Sequence, residues 1–168
     1  MKVEAFPLPP DAEIPNHPRW PLLVYPGAVP VAGEDPAAAF EALFARHGWP
    51  PAWRDGVFPF HHFHPDGHEA LGVYAGEVTV RFGGAHGVLV AARPGDVIVL
   101  PAGAGHCKVS SKGALGVVGA YPGASQPGTC RPSAAAHADH LASVVRVPRP
   151  AADPVYGADG PLLTHWPA

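Results

Sequence analysis

The spacing of three histidines, one glutamate and their flanking glycines between residues 56 and 110 constrains this chain most. The first block runs Gly56, His62-Phe63-His64, Glu69, Gly76, and the second runs Gly95, Pro101-Ala102-Gly103, His106. Side chains on a strand alternate between faces, so His62 and His64 point the same way. Pro65-Asp66-Gly67 is a turn signal, its glycine free to take positive φ. The next strand therefore returns beside the first and brings Glu69 toward the same point. Parity then puts Leu71 and Val73 on the face of Glu69 and Tyr74 on the other, and Gly76 breaks the strand. Gly95-Asp96 opens a third segment, Val97 to Leu100, rich in β-branched residues. The run Pro101 to Gly105 bends the chain and delivers His106. No single strand places four such donors together, so the pattern calls for a closed sheet.

Three imidazoles and one carboxylate at one point would hold a divalent transition metal: Fe, Mn, Ni, Co or Zn. Without an ion, four unpaired polar groups inside a barrel would cost on the order of 1–3 kcal/mol each. The donor set leaves coordination positions open for water, a chelating substrate or dioxygen. Binding should weaken below about pH 6, near the imidazole pKa.

Other polar residues are weighed against the same parity. His61 is sent to the face opposite the donors, as an outer or interface histidine. His68, beside Glu69, also faces away unless the turn distorts the strand; it is a candidate partner of the donors and one of two catalytic candidates. The other is Lys108, which shares the inward parity of His106 and could anchor a carboxylate or phosphate, or else reach out to water. Arg81 faces out, and Arg93 and Lys112 fall in turns. The cavity thus holds at most one cationic side chain, which favours a small neutral or monoanionic substrate. His86 lies in a turn, His137 and His140 read as a solvated helix face, and Cys107 points away from the donors.

Composition fits one soluble domain over residues 1–168. The chain is 47% hydrophobic, enough for a core, and its 23 prolines and 20 glycines suit turns and extended arms better than long helices. A net charge of −3 with no basic run argues against nucleic acid. No apolar stretch reaches the roughly 18 residues of a membrane span, and no secretory signal is evident. Cys107 and Cys130 form no disulfide framework, so a cytoplasmic setting is expected. Residues 1–34 read as a proline-punctuated arm. Asp35-Pro36 starts a helix whose Phe40, Leu43, Phe44 and His47 share one face, ended by Gly48 and Pro50-Pro51. Strands are expected at 57–64, 69–75, 77–83, 87–92, 96–100, 106–110 and 114–121, with a second short helix within 134–145. The organisation is then an arm and helix (1–55), a barrel core (56–122) and a proline-rich extension (123–168) lying on a surface, such as a partner subunit's.

The two blocks resemble the motifs of the cupin superfamily, including both histidines of the first, the glutamate, the flanking glycines, the Pro-x-Gly and the last histidine. Ser110 departs from the Asn usual there, which is not a ligand. Trp53-Arg54-Asp55-Gly56-Val57-Phe58, Phe82-Gly83-Gly84-Ala85-His86-Gly87, Gly119-Ala120-Tyr121-Pro122 and Asp153-Pro154-Val155-Tyr156-Gly157 extend the resemblance to single-domain bacterial cupins over most of the chain. The resemblance implies an all-β jelly-roll barrel with one or two short peripheral helices, and a metal held by His62, His64, Glu69 and His106. It suggests dioxygenase-type or isomerase-type chemistry on a small molecule; the alternative is a non-catalytic binding or storage protein with a structural metal. Exposed arms and apolar barrel faces point to a homodimer.

Overall fold

Continuous apolar runs in its central strands give the sheet two buried faces, and a bend in its longest strands rolls it. The computed structural model describes residues 2–168, the side chain of Ala124 excepted. In chain order the elements are β1 (Glu4–Phe6), β2 (Leu22–Tyr25), α1 (Ala37–Arg46), β3 (Pro51–Asp55), β4 (Glu69–Phe82), β5 (Val88–Ala92), β6 (Val97–Leu100), β7 (His106–Ala120), α2 (His137–Val144) and α3 (Leu162–His165). The strands form one sheet in the order β1-β2-β6-β4-β7-β3, with β5 paired to β4. Every pairing is antiparallel.

β2 and β6 are apolar on both faces because both faces are covered. Leu22, Val24, Ile98 and Leu100 join an inner cluster with Leu71, Val73, Val80, Phe82 and Val117. Leu23, Tyr25, Val97 and Val99 join an outer cluster with Phe40, Phe44, Trp49 and Trp166. Residues 1–34 are therefore more than an arm: β2 lies within the sheet, hydrogen-bonded to β6. Pro21 and Pro26 bracket the strand from outside its ladder, where a missing N–H does no harm.

β4 and β7 carry the roll. Laid straight, β4 would span about 45 Å. Yet the carboxylate of Glu69, at its start, lies 3.3 Å from the imidazole of His106, whose backbone pairs with Phe82 at its end. The bend falls at Gly76, which has φ 67° and where a Cβ would stand 2.9 Å from the Ala114 carbonyl oxygen. Gly76 therefore does not end a strand as expected: segments 69–75 and 77–83 are one bent strand, and so are 106–110 and 114–121. The fold is all-β and jelly-roll-like, but the hydrogen-bonded path stays open between β1 and β3, so the expected closed sheet is a rolled one.

Three further expectations change. Residues 57–64 are not a strand, because their backbone makes isolated bridges, His62 to His106 and Phe63 to Cys130, and single hydrogen bonds rather than a ladder. β3 was not expected; it pairs with the end of β7. The C-terminal extension folds onto its own chain and adds a third helix, α3. Asp153, fully buried, accepts hydrogen bonds from the Tyr25 hydroxyl and the backbone N–H groups of Val155, Tyr156 and Leu162. α1 forms as expected, with Phe40 and Phe44 buried against the sheet. Its cap differs: Pro36 occupies that position, and the carboxylate of Asp35 instead accepts a bidentate pair from Arg54.

Candidate metal-binding cavity

The two-residue bridge between His62 and His106 exchanges both backbone hydrogen bonds, at 3.1 and 2.9 Å, and sets their rings side by side with centroids 3.9 Å apart. Local alternation then turns Phe63 away into the core and brings His64 back toward His62. The His64 carbonyl accepts the N–H of Gly103 at 2.8 Å, which ties the bend before His106 to the first block. One nitrogen from each of His62, His64 and His106 lies within 4.8 Å of the others, and all three residues are buried. Among the described residues this is the one such group of potential metal donors.

Hydrogen bonding decides which nitrogen each ring presents. The Nδ1 atoms of His62, His64 and His106 lie 2.9, 2.9 and 3.0 Å from the carbonyl oxygens of Phe60, Gly128 and Ala104. A carbonyl only accepts, so each Nδ1 carries the proton and donates it. Each neutral ring is left with an Nε2 lone pair. Such outer hydrogen bonds fix the tautomer and aim of metal-binding imidazoles.

Glu69 lies beside two of the three histidines, outside the mutually close group. Its Oε2 sits 3.4 Å from Nε2 of His64 and 3.3 Å from Nε2 of His106. With their protons on Nδ1, neither ring donates from Nε2, and Oε2 is buried without a hydrogen-bond partner. An orphaned carboxylate oxygen beside aimed imidazole lone pairs fits a cation. In the absence of an ion, protons compete for the same positions. Burial pushes the pKa of His62 down to about 3, aided by His106. Burial also pulls His64 down, but the carboxylate of Glu69 outweighs it and leaves that pKa raised. Burial alone would raise Glu69; the imidazoles of His106 and His64 instead hold it well below the usual carboxylate range.

The donors open into a cavity of about 460 Å³. Trp53, Val57, Phe58 and Leu71 give it apolar walls, and Asp55, Lys108, Tyr121 and Thr129 add polar groups. Lys108 is the one lysine or arginine among the lining residues. His68 does not line the cavity. It is buried, accepts the Ala102 N–H at Nδ1 (2.8 Å) and donates from Nε2 to the Pro148 carbonyl (3.1 Å). It thereby holds the bend that leads to His106. His61, His86, His137 and His140 likewise lie outside the lining.

Tyr121 is one of several lining residues that sequence reasoning missed, with Asp55, Phe58 and Thr129. Its hydroxyl accepts the indole N–H of Trp53 at 2.9 Å. Trp53 pairs with Gly119, and its ring lies where any Cβ at Gly119 would have to go. The glycine thus admits the indole that orients the tyrosine two residues on. Burial, then Glu69, raises the Tyr121 pKa to about 12, so it keeps its proton at neutral pH. The available signal was Trp53 and Tyr121 flanking an unexpected β3–β7 pairing.

No family model matches the chain. Over 165 residues it is 36% identical to the uncharacterized protein YjlB of Bacillus subtilis, covering 98% of this chain and 97% of that protein. Among solved structures, a DUF861 family protein of Thermotoga maritima is similar at 17% identity and a TM-score of 0.35, over 58% of this chain and 96% of that one. The 7S globulin of Momordica charantia is similar at 20% identity and a TM-score of 0.39, over 68% of this chain and 33% of the globulin. Among the described residues, no helix is long and apolar enough to cross a membrane.

Proposed function

The chain belongs to the same family as YjlB of Bacillus subtilis, and we propose that it is a metal-dependent enzyme acting on a small molecule in the rolled-sheet cavity. The observation that carries this reading is the orphaned Oε2 of Glu69 among imidazoles whose Nδ1 protons are already committed to backbone carbonyls. His62, His64, Glu69 and His106 would hold one divalent transition ion. When bound, such an ion supplies Lewis acidity and open positions for a chelating substrate or dioxygen. The chain's own residues do the rest. Val57 and Leu71, both buried, exclude water with Trp53, and Tyr121, steadied by Trp53, offers a fixed hydroxyl. The cupin resemblance of the motifs supports a dioxygenase-type or isomerase-type reaction.

The test is elemental analysis of protein purified without chelators, followed by screens for oxygen uptake and isomerisation. We expect about one ion per chain, and loss of both metal and turnover in His62→Ala. Turnover retained by metal-free protein would refute the proposal. Tight ligand retention without any reaction would favour a binding or storage role.

A further inference from the structure

We infer that Lys108 and Phe58 form a subsite at the cavity mouth for a small planar monocarboxylic acid, Lys108 taking the acid and Phe58 the flat apolar body. This rests on the proposed function in taking the donor cavity as the substrate cavity. The two residues are joined through the backbone: the Lys108 N–H donates to the Phe58 carbonyl at 2.9 Å. Both line the cavity. They therefore act on one ligand together.

Lys108 supplies a charge with no ion-pair partner among the described residues. Asp55 also lines the cavity, but its Oδ1 accepts the Gly56 N–H at 2.8 Å and it forms no ion pair with Lys108. The donor set, holding a divalent ion against the single carboxylate of Glu69, would be cationic, and Lys108 would add to that field. An acid is the ligand such a field selects.

Phe58 supplies the platform. It is 50% exposed, unusual for so large an apolar side chain. It is nonetheless held in place, stacked on Phe60 with centroids 4.9 Å apart and planes 13° apart. The guanidinium of Arg131 sits 3.5 Å from the centre of the Phe60 ring. Phe58 also meets His62 edge-on at 5.1 Å, so the platform adjoins the donors. An aromatic kept exposed and rigid beside a cation fits a flat ligand better than a flexible chain.

The experiment is calorimetric titration of the metal-loaded protein with benzoate and with benzamide, its neutral isostere. Benzoate should bind about ten-fold tighter, the worth of one charge-assisted hydrogen bond. Lys108→Met should bring benzoate to the benzamide level and leave benzamide unchanged, while Lys108→Arg should keep the preference. Phe58→Ala should weaken both probes by a similar factor, which checks the platform independently of any folding defect at Lys108. Elemental analysis of the same samples separates the two ideas: a protein without metal refutes the proposed function. Metal-loaded protein with no benzoate preference, or a preference that survives Lys108→Met, overturns the subsite. A Phe58→Ala variant that binds both probes normally but changes oligomeric state overturns the platform.

Discussion

Two groups of buried histidines lie on either side of this sheet, and they differ in what their nitrogens do. In the cavity, His62, His64 and His106 donate from Nδ1 to carbonyls and leave Nε2 facing a carboxylate with no partner. Behind the sheet, His68 uses both nitrogens on backbone groups and packs against Trp20 and Trp166. His17 accepts the backbone N–H of Trp20 at Nδ1 and stacks on the Trp20 indole at 4.3 Å. Their burial is nearly equal, from 1% to 7% exposed. A ring nitrogen facing a buried carboxylate, not burial, distinguishes the site from the scaffold.

The sharpest way to break this contrast is to remove one histidine from each group. His106→Ala should cut metal affinity at least about 100-fold, by loss of a ligand bond, while the metal-free protein stays folded. Titration against a competing chelator and a circular-dichroism melt check both halves. His68→Ala should do the reverse: a loss of about 3 kcal/mol in urea unfolding, with metal stoichiometry retained. If His68→Ala lost metal and kept stability, the contrast would be wrong.

Acid sharpens the scaffold side. Burial first, then the charges of His68 and Arg19, lowers the His17 pKa to about 4 from 6.5. Below pH 6.5 the unfolded chain binds a proton at this position that the folded chain refuses. Stability therefore falls as pH drops from 6.5 toward 4, by up to about 3 kcal/mol from this residue, and levels off below. Urea midpoints of the metal-free protein across that window should slope less in His17→Asn. The smallest effect concerns the cavity wall. Trp53→Phe removes one donor from the Tyr121 hydroxyl and should cost about 1 kcal/mol in the same assay, with metal content unchanged.

Much of the site was legible because parity and turn chemistry are local. Alternation through His62, Phe63 and His64 holds even though residues 57–64 form no ladder. The glycine-proline bend before His106 also behaves as expected. What stayed hidden depends on register, which no single segment encodes. β2 reads as a short apolar run between prolines, and only β6 shows it to be a sheet strand. Tyr121 reads as a strand-end aromatic until β3 sets Trp53 over Gly119. Gly76 signals a break equally well whether the chain stops or bends, and the pairing of β4 with β7 decides for the bend. The tail's Asp153 carries no periodic signal; its role comes from Tyr25, distant in sequence.

The roll of β4 also has a consequence in time. Glu69 meets His106 only after fourteen residues of strand have curled on themselves, so in an unrolled chain the donors are scattered. Contacts this distant in sequence close slowly, after local turns and helices. An ion held as proposed would be captured late and would serve as a clock for the rolling of the sheet rather than as its seed.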